Sequence, residues 1–191
     1  MKNAPFFLAF FLCLHTGMIK AQKIEPVQLE TYASCCGVEP VEFIVPDKSM
    51  YIFVPNAFTP NEDGWNDKFM PAINGEIQAI NYMVIQRKIA NDSIPLLVYQ
   101  IRDVDAGSLA QFAWNGKDEK GNVYQGAFDY AISVTTKTGA SVMVKGSGCS
   151  IVCGPEAALL KDKKGCFYPV QTSNAGHLDP LIPNKEEDCF E

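Results

Sequence analysis

Histidine is nearly absent from the 191-residue chain; the two present are His15 and His177. A serine or cysteine nucleophile needs a base within reach, so this scarcity leaves such chemistry little to work with. No G-x-S-x-G string occurs either. Zinc takes His and Cys at ordered spacing and is disfavoured for the same reason. Paired acids exist, as at Asp103 and Asp105, but acids at a strand end are ordinarily solvated. The chain therefore reads as a non-enzyme. Basic side chains are outnumbered by acidic ones, 16 to 22, for a net charge of −6. Phosphate backbones demand clustered Lys and Arg, so nucleic acid is not an expected partner. Long apolar runs are missing too. The strongest, residues 5–14, covers 10 positions, half of the about 20 that cross a bilayer, so no transmembrane anchor is expected. No window sustains helical periodicity, which argues against a helical bundle.

What is present begins with an apolar fraction of 47%, enough to fill a core and to rule out a wholly disordered chain. The length suits one domain with short appendages. Residues 1–21 run from a positive start through an apolar stretch to a small residue, the pattern of a secretory signal peptide. Cleavage is expected after Ala21, with Gln22 a close alternative. Cys13 would leave with that segment, and six of the seven cysteines would remain: Cys35, Cys36, Cys149, Cys153, Cys166 and Cys189. An even number on the oxidising side reads as a disulfide framework. Vicinal Cys35 and Cys36 would close a strained ring if they bonded each other, so each is expected to reach a distant partner among the other four. Cys149 and Cys153 have C-x3-C spacing, whereas a thioredoxin-type redox site wants C-x-x-C beside a βαβ pattern.

Four segments follow from composition: the signal peptide, a lead-in over 22–49, a folded body over 50–153 and a Pro- and charge-rich tail over 154–191. The tail is expected to be poorly structured and partly held by Cys166 and Cys189. Strands are predicted over 41–45, 51–54, 79–87, 95–102, 128–134 and 142–144, from β-branched and aromatic runs bounded by Gly, Pro, Asn and Asp. In 128–134 the period is two, with Phe128, Tyr130, Ile132 and Val134 on one face and Asp129, Ala131 and Ser133 on the other. Short strands with turn signals between them indicate an all-β antiparallel sandwich with disulfide-stapled flanks.

Residues 52–69 read IFVPNAFTPNEDGWNDKF. This stretch resembles the opening signature of the gliding-motility-associated C-terminal domain family of Bacteroidetes, the type B sorting domain of the type IX secretion system. Pro55, Asn56, Phe58, Thr59, Pro60, Asn61, Asp63, Gly64, Asn66, Asp67 and Phe69 match its pattern. A second stretch, Trp114-Asn115-Gly116, then Gly121, Tyr124, Gly126 and Phe128-Asp129-Tyr130, is similar to the family's closing hairpin. Glu62 stands where the family has Gly, and Gln86-Arg87-Lys88-Ile89 keeps only the Arg of a middle string. The resemblance covers about half of the chain. It implies an immunoglobulin-like β-sandwich, export to the cell surface, outer membrane or medium, and type IX machinery or surface components, protein or glycan, as partners.

The signature also suggests chemistry. Asn61, Asp63, Asn66 and Asp67 put four oxygen-bearing side chains within seven positions, with Gly64 for a sharp turn. Calcium wants six to eight oxygens, so the loop is a candidate Ca²⁺ site. The EF-hand template fails, since it would place Thr59 first and Met70 twelfth. The competing reading is an Asx-rich turn whose side chains bond their own backbone. Trp65 and Trp114 are candidate sugar-stacking residues, which makes an extracellular glycan-binding module the alternative function; packing in the core is the other reading for both rings.

Overall fold

The computed structural model describes residues 31–37, 39–45, 50–87 and 95–191. The expected signal peptide, with Cys13, lies outside the described residues, as do much of the lead-in and Lys88-Ile89. Eight strands follow in chain order: β1 (Val41–Val45), β2 (Met50–Val54), β3 (Ala57–Phe58), β4 (Ala72–Ile73), β5 (Ile77–Arg87), β6 (Leu96–Asp105), β7 (Gly126–Thr136) and β8 (Ser141–Ser150). They form two sheets, in the orders β1-β2-β4 and β3-β8-β7-β5-β6. Every predicted strand segment falls within one of them, except Pro95, which stands just before β6.

β7 is the clearest case of pattern becoming structure. Its alternation sends Phe128, Tyr130, Ile132 and Val134 into the core, all less than 5% exposed. Burying side chains of this size is worth about 1.5–3 kcal/mol each. Asp129 faces solvent as expected. Ser133 does not: it is 5% exposed and accepts a hydrogen bond from Asn81 Nδ2 at 3.2 Å, so the outer face is partly covered. β5 contributes Ile80, Met83 and Ile85 to the same core. Their spacing of three then two follows from a bulge between Ile80 and Tyr82, which lets one extra residue pass before the inward face resumes. β8 pairs with β7 through two glycines. A Cβ at Gly148 would lie 2.7 Å from the Phe128 ring, and one at Gly146 2.4 Å from the Tyr130 hydroxyl, so only glycine lets these rings lie over the strand.

The other inner wall is β2, which sends Met50, Ile52 and Val54 into the shared core. Tyr51 and Phe53 point away from that core and are equally buried. The unbroken apolar run of β2 is thus that of a strand covered on both faces. After Val54 the chain changes sheet. Pro55 cannot donate to a ladder, and two residues later Ala57 starts β3 on the edge of the second sheet. There β3 runs parallel to β8, Ala57 opposite Cys149, which departs from the all-antiparallel expectation.

The tail departs further. Residues 155–191 are not loosely arranged: short 3-10 helices at Ala157–Leu160, Pro169–Gln171 and Glu187–Phe190 alternate with hydrogen-bonded turns. With the lead-in they build a second apolar cluster that includes Tyr32, Ala57, Ile151, Leu160, Tyr168 and Phe190. The tail also covers the outer face of β2, where the His177 ring sits 3.7 Å from that of Tyr51. Scattered apolar residues with no period gave no sign of this, because the tail packs through turns rather than through a repeating element.

Candidate functional site

The loop between β3 and β4 is organised by its own side chains. Asp67 accepts hydrogen bonds from the backbone N–H of Glu62 and, at 2.8 Å, of Gly64. Asp63 Oδ1 accepts from Trp65 N–H at 2.7 Å, and Asn61 Nδ2 donates to Asp63 Oδ2 at 2.8 Å. These are Asx-turn bonds, with the carboxylates serving local donors. They also tolerate the positive φ of Glu62, Gly64 and Asn66, at 65°, 95° and 48°. Of the four calcium candidates, Asn61, Asp63 and Asp67 stay on this loop. Asn66 does not join them. Its side chain is 7% exposed and turned into the protein.

Asn66 is instead a post for the tail. Its Nδ2 donates to Asn184 O at 2.7 Å and to the Glu186 carboxylate, while its Oδ1 accepts from Val170 N–H at 2.9 Å. Asn56 does the same at the start of the signature. Its Nδ2 donates to Gly165 O and its Oδ1 accepts from Phe167 N–H, both at 2.7 Å. The backbone N–H groups of Asn56 and Ala57 also donate to Phe167 O. Two asparagines of the signature thus clamp residues more than a hundred positions away. An amide suits this, since it donates and accepts at one spot and carries no charge to desolvate.

Beside Asn66 lies Glu186, a residue that no motif in the sequence singles out. It is 1% exposed. Burial pushes its carboxyl up to about 7, with the nearby charges of Asp63 and Asp67 acting in the same direction and the Asn66 and Thr59 side chains against. The Thr59 hydroxyl faces this carboxyl, yet neither Thr59 Oγ1 nor Glu186 Oε2 completes a hydrogen bond. A carboxyl whose folded-state pKa exceeds its unfolded value stabilises the fold in its protonated form. That contribution is full below the ordinary carboxylate range and is lost as pH rises through about 7. The melting temperature is therefore expected to fall between about pH 5 and about pH 8, and Glu186→Gln is expected to flatten that slope. Thermal melts of both proteins across this range check it; parallel slopes would show that Glu186 is not the group responsible.

The tryptophans divide. Trp114 is fully buried, against the sugar-contact expectation. Its backbone pairs with Phe69 in an antiparallel bridge, its indole N–H donates to Lys117 O at 2.8 Å, and its ring packs on Phe58 and Phe128 at 5.2 and 5.1 Å. A large apolar ring whose single donor finds a nearby carbonyl belongs inside. Trp65 is 49% exposed, with Lys185 Nζ 5.8 Å from its ring centroid.

The six cysteines pair as Cys35–Cys149, Cys36–Cys166 and Cys153–Cys189. The vicinal pair reaches two distant partners, as expected. Three bridges indicate an oxidising compartment, and no helix among the described residues is long and apolar enough to cross a membrane. Cys153, Cys189 and Glu186 also converge. One carboxylate oxygen and both Sγ atoms lie within 4.8 Å of one another, the one such group of three metal-capable side chains among the described residues. The two sulfurs are bonded to each other, so they are not available as thiolate ligands. Nothing in the spacing of these three residues signals the cluster. The chain matches no family model, no curated protein and no solved structure.

Proposed function

We propose that the chain is an exported, non-enzymatic protein built on an immunoglobulin-like sandwich of the gliding-motility-associated C-terminal type. In this reading it acts in type IX secretion, surface attachment or surface assembly. One observation carries the reading: the two stretches that resemble the family meet in space. Phe69, which closes the first, bridges Trp114, which opens the second. Gly116 of the second lies so near Pro60 of the first that a Cβ would sit 2.7 Å from the proline ring. Residues at fixed spacing in a signature thereby acquire a packing reason. Glu62, standing where the family has Gly, has a φ of 65°, in the region that glycine favours. Its carboxylate meets Lys117 at 3.2 Å in an exposed ion pair.

The disulfides fit an exported protein, since such bridges persist outside reducing compartments. A glycan-binding role would have to rest on Trp65 alone, because Trp114 has no face to offer a sugar. Fractionation of cells producing the chain, with and without a working type IX system, tests the proposal. Loss of the protein from the surface and medium in the mutant is the expected result. An unchanged location would remove the sorting role.

A further inference from the structure

One of the three bridges is built differently from the others. All three bridges pack on the second cluster, and Cys166, like Cys153, is only partly buried, but among the described residues an acid converges on both sulfurs at Cys153–Cys189 alone, where Glu186 approaches. Cys189 is 3% exposed, whereas Cys153 is partly open to solvent. Asn61, on the exposed loop, directs its Nδ2 donor at Cys153 Sγ over 3.4 Å. An accessible sulfur with a polar donor, a buried sulfur and a carboxyl beside both are the parts that thiol–disulfide exchange requires.

We propose that Cys153–Cys189 is an exchangeable disulfide that oxidises a pair of thiols on a partner polypeptide, with Glu186 carrying the proton. A thiolate of the partner attacks Cys153 Sγ. The new sulfur–sulfur bond forms as the Cys153–Cys189 bond breaks, and its electron pair goes to Cys189 Sγ, which takes the Glu186 proton. The partner's second thiol loses its proton to solvent, and the Glu186 carboxylate regains its own from the same source. That thiolate attacks the partner sulfur held in the mixed disulfide and expels Cys153 as a thiolate. The Asn61 amide stabilises this leaving group until solvent protonates it. Two electrons and two protons pass to the chain, and the partner leaves as a disulfide.

The charges around Glu186 suit a proton carrier. Asp63 and Asp67 face it from the loop, Tyr168 faces it from the tail, and Lys185, Glu187 and Asp188 flank it in sequence. Burial and the two loop acids keep its carboxyl protonated well above the ordinary range, which is where a proton donor for neutral conditions must sit. The sequence conceals all of this. Cys153 stands four positions from Cys149, yet its partner is 36 positions away.

Dithiothreitol, itself a dithiol, is the probe. The oxidised full chain is treated with it from about pH 5 to about pH 9, quenched with an alkylating agent and mapped by mass spectrometry, while oxidised dithiothreitol is followed by absorbance. Cys153 and Cys189 are expected to be alkylated at least about ten-fold faster than the other four cysteines. The rate should carry an inflection near 7, present in the wild type and lost in Glu186→Gln. Asn61→Ala, a change on an exposed loop, should keep that inflection and raise the pH at which the freed Cys153 thiol alkylates. Opening of all three bridges together, or identical pH profiles for wild type and Glu186→Gln with Asn61→Ala also unchanged, would overturn the proposal.

Discussion

With Cys35, Cys36, Cys149 and Cys166 all replaced by alanine, the chain is expected to be unfolded in buffer, whereas loss of either bridge alone leaves it folded. The reason is the way the two bridges share a path. Cys35–Cys149 and Cys36–Cys166 close separations of 114 and 130 residues. Their ends nearly coincide, since Cys35 adjoins Cys36 and Cys149 lies 166 − 149 = 17 positions from Cys166. While one bridge stands, the other closes a loop of only about 20 residues, worth about 3 kcal/mol in the loop-closure account. With both gone, the long loop opens as well, and the combined loss is about 8 kcal/mol. That is comparable with the whole stability of an ordinary domain, about 5–15 kcal/mol. The double loss thus exceeds the sum of the single ones. Urea unfolding of the two single-bridge variants, with circular dichroism of the combined variant in buffer, measures this; a combined variant that stays folded and loses only the sum of the two single losses would show that the bridges do not share a path.

Trp114→Ala is expected to cost about 3–5 kcal/mol, the range for deleting a buried aromatic side chain. Trp114 is fully buried, and its ring touches those of Phe58, Phe128 and Tyr124, with centroids 5.2, 5.1 and 5.7 Å away. The alanine leaves a cavity among rings that cannot collapse into it, and it strips Lys117 O of the indole donor. Trp114→Phe keeps most of the apolar volume and loses only that hydrogen bond, so it should cost clearly less. Chemical denaturation ranks the two. Equal and small effects would mean that the ring is not the centre of this core.

The contrast between β7 and the tail shows what could be read in advance. In β7 a period of two runs along the strand, and that alternation alone fixes which face turns to the core shared with β2. The two-residue strands β3 and β4 were invisible, since a pair of residues has no period. The order of the tail is hidden for a related reason. Its turns pack by position rather than by repeat, and prolines that suggest disorder in isolation here set the turns of a covering layer. Asn66 shows the limit within the site. An asparagine beside three other oxygen-bearing residues reads as a ligand or a turn former, and nothing local says that it faces inward to Val170, Asn184 and Glu186. Glu186 was harder still, since a glutamate in an acidic, C-terminal stretch looks solvated until another segment covers it.

The identity of the longer strands, the inward face of β7, the all-β class and the division of the vicinal cysteines between distant partners follow from residue order alone. Each depends on interactions whose range along the chain is short or on the strain of a small ring. The parallel edge at β3, the choice among cysteine partners, the inward turn of Asn66 and the convergence of Glu186 on Cys153–Cys189 were decided only in three dimensions. They join residues up to 130 positions apart, and no local pattern carries information about which distant surface will arrive to cover a given side chain.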